Sequence, residues 1–324
     1  MKMKIKIFLF NVLIIIFALS SCTKDSDIFT PNATSPSLDT NWVSVVTDAS
    51  LVSQLKRTLN KDAVLDSLDA SLGGSFRTSE GLMVFVLPQS LLMPNGQVAT
   101  GKIYAETMLV KERGEMVKLD KPTTSFGRIL NSGGQVFIKL RKESEELHLA
   151  SGKTIYIKYQ DNNYSSVMKV FHGDESNLFR FNWDISSDGI NASSQQGYEI
   201  SSSVLRWISP NYFADTSGTK VNITASLPAD CTNGNTVVFL VFKDFKSVVA
   251  MYGDVNTKKF TAFRIPTGRQ AVVISITKKG TNSFYLGHES LTTGQSGTIS
   301  GGQIIPLSPK PTSITEIKNY LSTL

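Results

Sequence analysis

Apolar and polar positions follow a different period in different parts of this 324-residue chain. Ile7 to Leu19 is an apolar run, interrupted only by Asn11, behind Lys2, Lys4 and Lys6. At about 13 residues it is shorter than the roughly 20 that a membrane-spanning helix needs, and it predicts an export signal over residues 1–21. Residues 22–41, rich in Ser, Thr, Pro, Asn and Asp, predict a flexible tether. From Asp48 the spacing of Leu51, Val52, Leu55 and Leu59, continued by Leu65 and Leu68, is helical and predicts one or two amphipathic helices ending before Gly73-Gly74.

Beyond those glycines the period shortens. Strands are predicted at Leu82 to Leu87, Lys102 to Val110, Gln135 to Arg141, Thr154 to Gln160, Val167 to Phe171 and Leu178 to Trp183. Turn-forming clusters such as Pro94-Asn95-Gly96 and Ser132-Gly133-Gly134 separate them. Ser186 to Gly197 has few apolar residues and reads as an inter-domain linker. Strands resume at Val204 to Ile208, Lys220 to Leu227, Thr236 to Lys243, Ser247 to Tyr252, Lys259 to Phe263, Ala271 to Thr277 and Ser283 to His288. This spacing predicts an immunoglobulin-like or fibronectin-like sandwich. Thr236 to Phe242 is almost wholly apolar and predicts a central strand, whereas Lys220 to Thr224 alternates and predicts one wet face. Gly294 to Gly302 reads as flexible. Ser313-Ile314-Thr315-Glu316 is a capping-box pattern, and Ile314, Ile317 and Leu321 share one face of a short C-terminal helix.

The predicted fold is therefore all-β with minor helices: two β-sandwich domains, 42–185 with its N-terminal helices and 198–305, joined by a linker at 186–197. The helix of residues 306–324 closes the chain. Half of the formal charge of +6 belongs to the three lysines of the export signal. No dense Lys/Arg block remains, which argues against a nucleic-acid partner. Cys22 and Cys231 are the only cysteines, so no disulfide framework holds the cores.

Leu19-Ser20-Ser21-Cys22 resembles the lipobox of bacterial lipoproteins. That resemblance implies lipidation of Cys22, cleavage before it, and anchoring in the outer membrane on its periplasmic or surface-exposed side. Thr23-Lys24-Asp25-Ser26-Asp27 is either a surface-export signal of such lipoproteins or a solvated charged leader. A second resemblance covers Gly73 to about Leu140. It rests on Gly73-Gly74, Gly81-Leu82-Met83-Val84-Phe85-Val86 running into Pro88-Gln89-Ser90-Leu91, and Gly133-Gly134-Gln135-Val136-Phe137-Ile138. These motifs are similar to those of ZU5 β-sandwich modules. With Lys121-Pro122-Thr123-Thr124-Ser125-Phe126-Gly127-Arg128 they also resemble modules of Gram-negative surface lipoproteins of unknown function. The resemblance implies a ZU5-like first sandwich and a scaffolding or interaction role. The His-Phe-Ser self-cleavage site of some ZU5 modules does not occur.

No metal-protease, P-loop, dinucleotide-binding or nucleophile-elbow motif appears, and no cofactor or metal is predicted. His172-Gly173-Asp174-Glu175 and Asp161-Asn162-Asn163 read as solvated turns; the first could hold a divalent ion only with distant partners. His148 and His288 belong to no catalytic pattern. Cys231 has no Lys, Arg or His beside it to activate it and reads as a structural thiol. The sequons at Asn32, Asn191 and Asn222 read as chance matches. Trp207, Tyr212 and Phe213, around Pro210-Asn211, are the candidate binding residues, because a strand running into a turn can present flat rings to a sugar or peptide. Buried packing is the competing reading, for these and for Trp183. The expected function is a lipid-anchored scaffold or adhesion-like binding protein without catalytic machinery, whose ligand is a protein or glycan. The alternatives are a glycan-binding lipoprotein of an outer-membrane uptake system and a hydrolase with a dispersed site.

Overall fold

The computed structural model describes residues 41–176, 180–193, 197–214, 218–295 and 302–324. The export signal, Cys22 and the tether up to residue 40 lie outside them, as does most of the Gly294 to Gly302 stretch. The described chain is mostly β-strand with three helices, and no helix among the described residues is long and apolar enough to cross a membrane.

Among the described residues four larger sheets, with one two-stranded pair beside them, carry the structure. Sheet I has nine strands; its main path runs Val64–Asp69, Lys102–Val110, Gln135–Lys142, Arg206–Phe213, Lys169–Asp174, Asn182–Ile185. Sheet II runs Gly189–Ser193, Gly197–Ser202, Ile155–Tyr159, Met83–Val86, Gly74–Arg77. Sheet III runs Val248–Ala250, Thr236–Phe242, Gln270–Lys279, Ser283–Thr292, Lys310–Thr312. Sheet IV runs Gly253–Asp254, Lys259–Pro266, Lys220–Ser226, Gln303–Pro306, with its last pair parallel.

Strand alternation distributes the apolar side chains over three clusters. Along Gln135–Lys142, Val136, Ile138 and Leu140 enter the cluster shared with sheet II, while Phe137 enters a central cluster. Along Thr236–Phe242, Val237, Phe239 and Val241 enter that same central cluster, and Val238, Leu240 and Phe242 enter the cluster shared with sheet IV. Sheets I and III thus bury both faces, which is why Thr236 to Phe242 reads as continuously apolar. Lys220–Ser226 alternates buried with half-buried positions, as its sequence predicts.

The central cluster also takes the helices. Helix α1, Leu51–Leu59, is N-capped by Ser50, whose hydroxyl accepts the Ser53 N–H at 3.2 Å, and it buries Val52, Leu55 and Leu59. Helix α2, Arg113–Lys118, buries Met116 and Val117. Helix α3, Ile314–Leu321, has the expected capping box between Ser313 and Glu316 and buries Ile317 and Leu321. The side chain of Arg113 donates to the carbonyls of Phe242 (2.9 Å), Lys243 (3.1 Å) and Leu324 (3.3 Å), tying α2 to sheet III and the chain's last residue.

Three sequence expectations are corrected. Leu65 and Leu68 do not extend a helix: Val64–Asp69 pairs antiparallel with Lys102–Val110. Two leucines three residues apart in a short segment cannot decide between periods, and the cross-strand pairing does. Ser186 to Gly197 is not a free linker, because Gly189–Ser193 is the edge strand of sheet II, with Ile190 opposite Ile200. A strand with one wet face and a free edge has few apolar positions, and so imitates a loop in sequence.

The third correction is Arg206–Phe213, assigned by sequence to the second sandwich and to a Pro-Asn turn. It is one continuous strand inside sheet I. Its first half pairs with Gln135–Lys142 and its second with Arg128–Ser132. Pro210 sits where one partner hands over to the other, a place where a missing N–H is tolerated, and its carbonyl accepts the Gly133 N–H at 2.8 Å. The boundary at residue 198 therefore falls within sheet II, and residues Thr40 to Leu324 form one compact unit. Buried hydrogen bonds cross it: the Thr123 N–H donates to the Val248 carbonyl and the Val248 N–H to the Thr123 hydroxyl, each at 2.8 Å.

Candidate functional site

A cleft of about 700 Å³ opens where sheets I, III and IV come together. One wall is the hairpin joining Thr124–Ser125 to Arg128–Ser132, in which Ser125 pairs with Arg128 across the two-residue loop Phe126-Gly127. Both loop residues have positive φ, 47° and 76°, as a type I′ turn requires. Glycine suits its position; Asn, not Phe, is the usual choice for the other. Phe126 is nevertheless held there, its N–H donating to Asn182 Oδ1 at 2.7 Å, while Asn182 in turn donates to Asp184 Oδ1 at 2.6 Å. Its ring is 81 % exposed at the mouth of the cleft.

A second part of the lining has its own irregularity. Val221 pairs with Ile265 and Ile223 with Ala262, so Phe263 and Arg264 together oppose Asn222 in a β-bulge. Arg264 has φ +57°, and its N–H donates to Asn222 Oδ1 at 3.1 Å. The bulge turns two successive side chains outward, and Phe263 is 63 % exposed along the cleft. Deeper in, the guanidinium of Arg180 lies 5.4 Å from the Tyr252 ring centroid, and burial pushes the Tyr252 phenol up, out of reach of ionisation near neutrality. The cleft thus offers two exposed rings, the amides of Asn182 and Asn256, and the carboxylates of Asp174 and Asp254. Each carboxylate accepts backbone N–H groups of its own turn, Asp174 from Ser176 at 2.8 Å and Asp254 from Asn256 at 2.7 Å. The hydrogen bonds from Ser176 hold the Asp174 carboxyl below the usual carboxylate range.

Left-handed backbone is costly for an aromatic residue, and it persists where the surroundings impose it. Phe126→Asn is therefore expected to raise the unfolding free energy by about 1 kcal/mol, measured by urea denaturation. A loss of stability would show that the exposed ring contributes packing.

The rings singled out in the sequence lie elsewhere. Trp207 is buried in the central cluster, 5.0 Å from Phe137 between ring centroids, and its indole N–H donates to Glu175 at 3.1 Å. Phe213 packs edge-on against Phe171, and Tyr212 is half-buried against the cluster shared with sheet II, accepting a hydrogen bond from Asn131. The binding turn expected at Trp207, Tyr212 and Phe213 is thus corrected to strand and core: these side chains alternate between two buried faces of sheet I. Trp183 is likewise fully buried.

The residues of His172 to Glu175 diverge. His172 pairs with Asp188 at 2.8 Å, and a Cβ at Gly173 would lie 2.5 Å from that of Trp207. Glu175 is desolvated, which alone would raise its carboxyl, but Lys121 at 2.8 Å, Arg206 and the Trp207 indole hold it below the usual range. No cluster of three His, Cys, Asp or Glu suited to a metal occurs among the described residues. Asp161 accepts the Asn163 N–H in a turn, and Asn222 is occupied at the bulge. Cys231 is buried, and desolvation pushes its thiol up, away from reactivity. Neither Phe126 nor Phe263 was legible as functional. The one available signal was an aromatic directly before Gly in a two-residue turn.

No protein-family model matches the chain, and no curated protein or solved structure shows significant similarity to it.

Proposed function

We propose that this is a non-catalytic binding protein, lipid-anchored through Cys22 in the outer membrane, that takes a saccharide in the cleft between Phe126 and Phe263. The observation that carries this reading is Phe126, exposed at the cleft mouth in a backbone conformation unfavourable to it. Flat rings with little rotamer freedom suit sugar faces, and the surrounding amides and carboxylates suit hydroxyls. The lipobox-like Leu19-Ser20-Ser21-Cys22 supports the anchor. On this reading the ZU5-like segment is the scaffold that carries the Phe126 hairpin, and sheets III and IV are the immunoglobulin-like part.

The hydrolase reading draws on one observation, that Asp174 and Asp254 reach the same cleft from different sheets. A glycoside hydrolase needs one carboxyl whose pKa is raised. Asp174 is shifted the other way and both carboxylates are committed to turns, which favours binding.

Affinity electrophoresis of the full-length protein in detergent, through gels containing neutral or acidic polysaccharides, tests the cleft. At least one polysaccharide is expected to retard the protein, and Phe126→Asn to weaken that binding about tenfold or more. Absence of retardation by any of them overturns the saccharide reading. Cys22→Ala is expected to move the protein out of the membrane fraction without altering its retardation; continued membrane attachment overturns the anchor.

A further inference from the structure

Next to the cleft, and sharing Phe126 and Ile129 with it, is a recess of about 320 Å³. Among the described residues its charged groups are Arg128, Lys220 and Arg264, and none of them is a carboxylate. None of the three forms an ion pair among the described residues. The Arg128 guanidinium is held 3.4 Å from the centroid of the Phe213 ring, and the backbone of Arg264 is fixed by the bulge opposite Asn222. Like charges gathered around one recess are unfavourable to one another until an anion joins them.

Carboxylates and unpaired cations are therefore segregated: Asp174 and Asp254 lie in the cleft, where Arg180 packs against the Tyr252 ring, and the three cations of the recess lie beyond Phe126 with no carboxylate among the described residues beside them. An acidic polypeptide laid through both would set its carboxylates against Asp174 and Asp254. A sugar chain brings hydroxyl donors to those carboxylates, and a negative substituent on it reaches the cations. From this segregation, and resting on the saccharide reading above, we infer that the ligand is an acidic saccharide. Its ring stacks between Phe126 and Phe263, and its carboxylate or sulfate group enters the recess formed by Arg128, Lys220 and Arg264.

The test compares polygalacturonate, dextran sulfate and uncharged dextran as ligands of the full-length protein in detergent at low salt. A charged polymer is expected to bind at least about tenfold more tightly than dextran, the size of one charge-assisted hydrogen bond. Whichever of the two charged polymers binds more tightly identifies the substituent. The double variant Lys220→Gln with Arg264→Asn removes two charges while Asn tolerates the left-handed backbone, and is expected to bring charged polymers to the dextran level. Arg264→Lys is expected to keep most of the preference. Equal binding of all three polymers, unchanged in the double variant, overturns the acidic ligand and leaves the cleft reading standing. Binding of none, with Phe126→Asn also without effect, overturns both. Polyglutamate binding as tightly as polygalacturonate also overturns the inference, since the carboxylates of the cleft then select nothing.

Discussion

Replacing Trp183 with Ala is expected to lower the unfolding free energy by about 3–5 kcal/mol, the usual cost of deleting a buried large aromatic. Trp183 lies in the outermost strand of sheet I yet is fully buried in the central cluster. Phe181 meets it edge-on at 5.0 Å. Its indole N–H donates to the Pro122 carbonyl at 2.8 Å, so truncation leaves both a cavity and a buried acceptor without its partner. Pro122 precedes Thr123, whose backbone and hydroxyl pair with Val248, so the damage reaches the junction between sheets I and III. Urea unfolding measures the change, and a shift below about 1 kcal/mol would mean that the site collapses without loss.

The second large effect is expected at Gly114. A Cβ there would lie 1.7 Å from the carbonyl oxygen of Leu321, which no small adjustment accommodates. Helix α2 cannot retreat, because Arg113 holds the carbonyls of Phe242 and Lys243. The C-terminal helix must give way instead. Gly114→Ala is then expected to undock α3 and cost about 3–6 kcal/mol, from two aliphatic side chains at about 1.5–3 kcal/mol each. A double-mutant cycle isolates the cause: with Ile317 and Leu321 already replaced by Ala, adding Gly114→Ala should cost less than about 1 kcal/mol. An equally large cost in that background would place the strain within α2 itself.

How far the sequence revealed this arrangement depends on what each segment's period reports. Lys102–Val110 and Thr236–Phe242 were legible because burial on one or both faces leaves a direct mark on composition. The C-terminal helix was legible because Ser313 and Glu316 cap it locally. Arg206–Phe213 misled because Pro210 usually ends a strand, and only the handover between two partner strands lets it remain. Gly189–Ser193 misled because an edge strand resembles a loop. The cleft was the least legible part. A bulge at Phe263 and Arg264 exists only as an offset between two strands, and neither strand alone records it.

The central cluster draws on Val52 and Leu55 near one end of the described chain and on Ile317 and Leu321 near the other. Arg113 closes on the carbonyl of Leu324, the final residue. Folding therefore depends on contacts between residues far apart in sequence, the kind that makes a chain slow to reach its native state. The central cluster is incomplete until helix α3 has docked. A chain cut short by even a dozen residues would leave that apolar interior exposed and open to proteases.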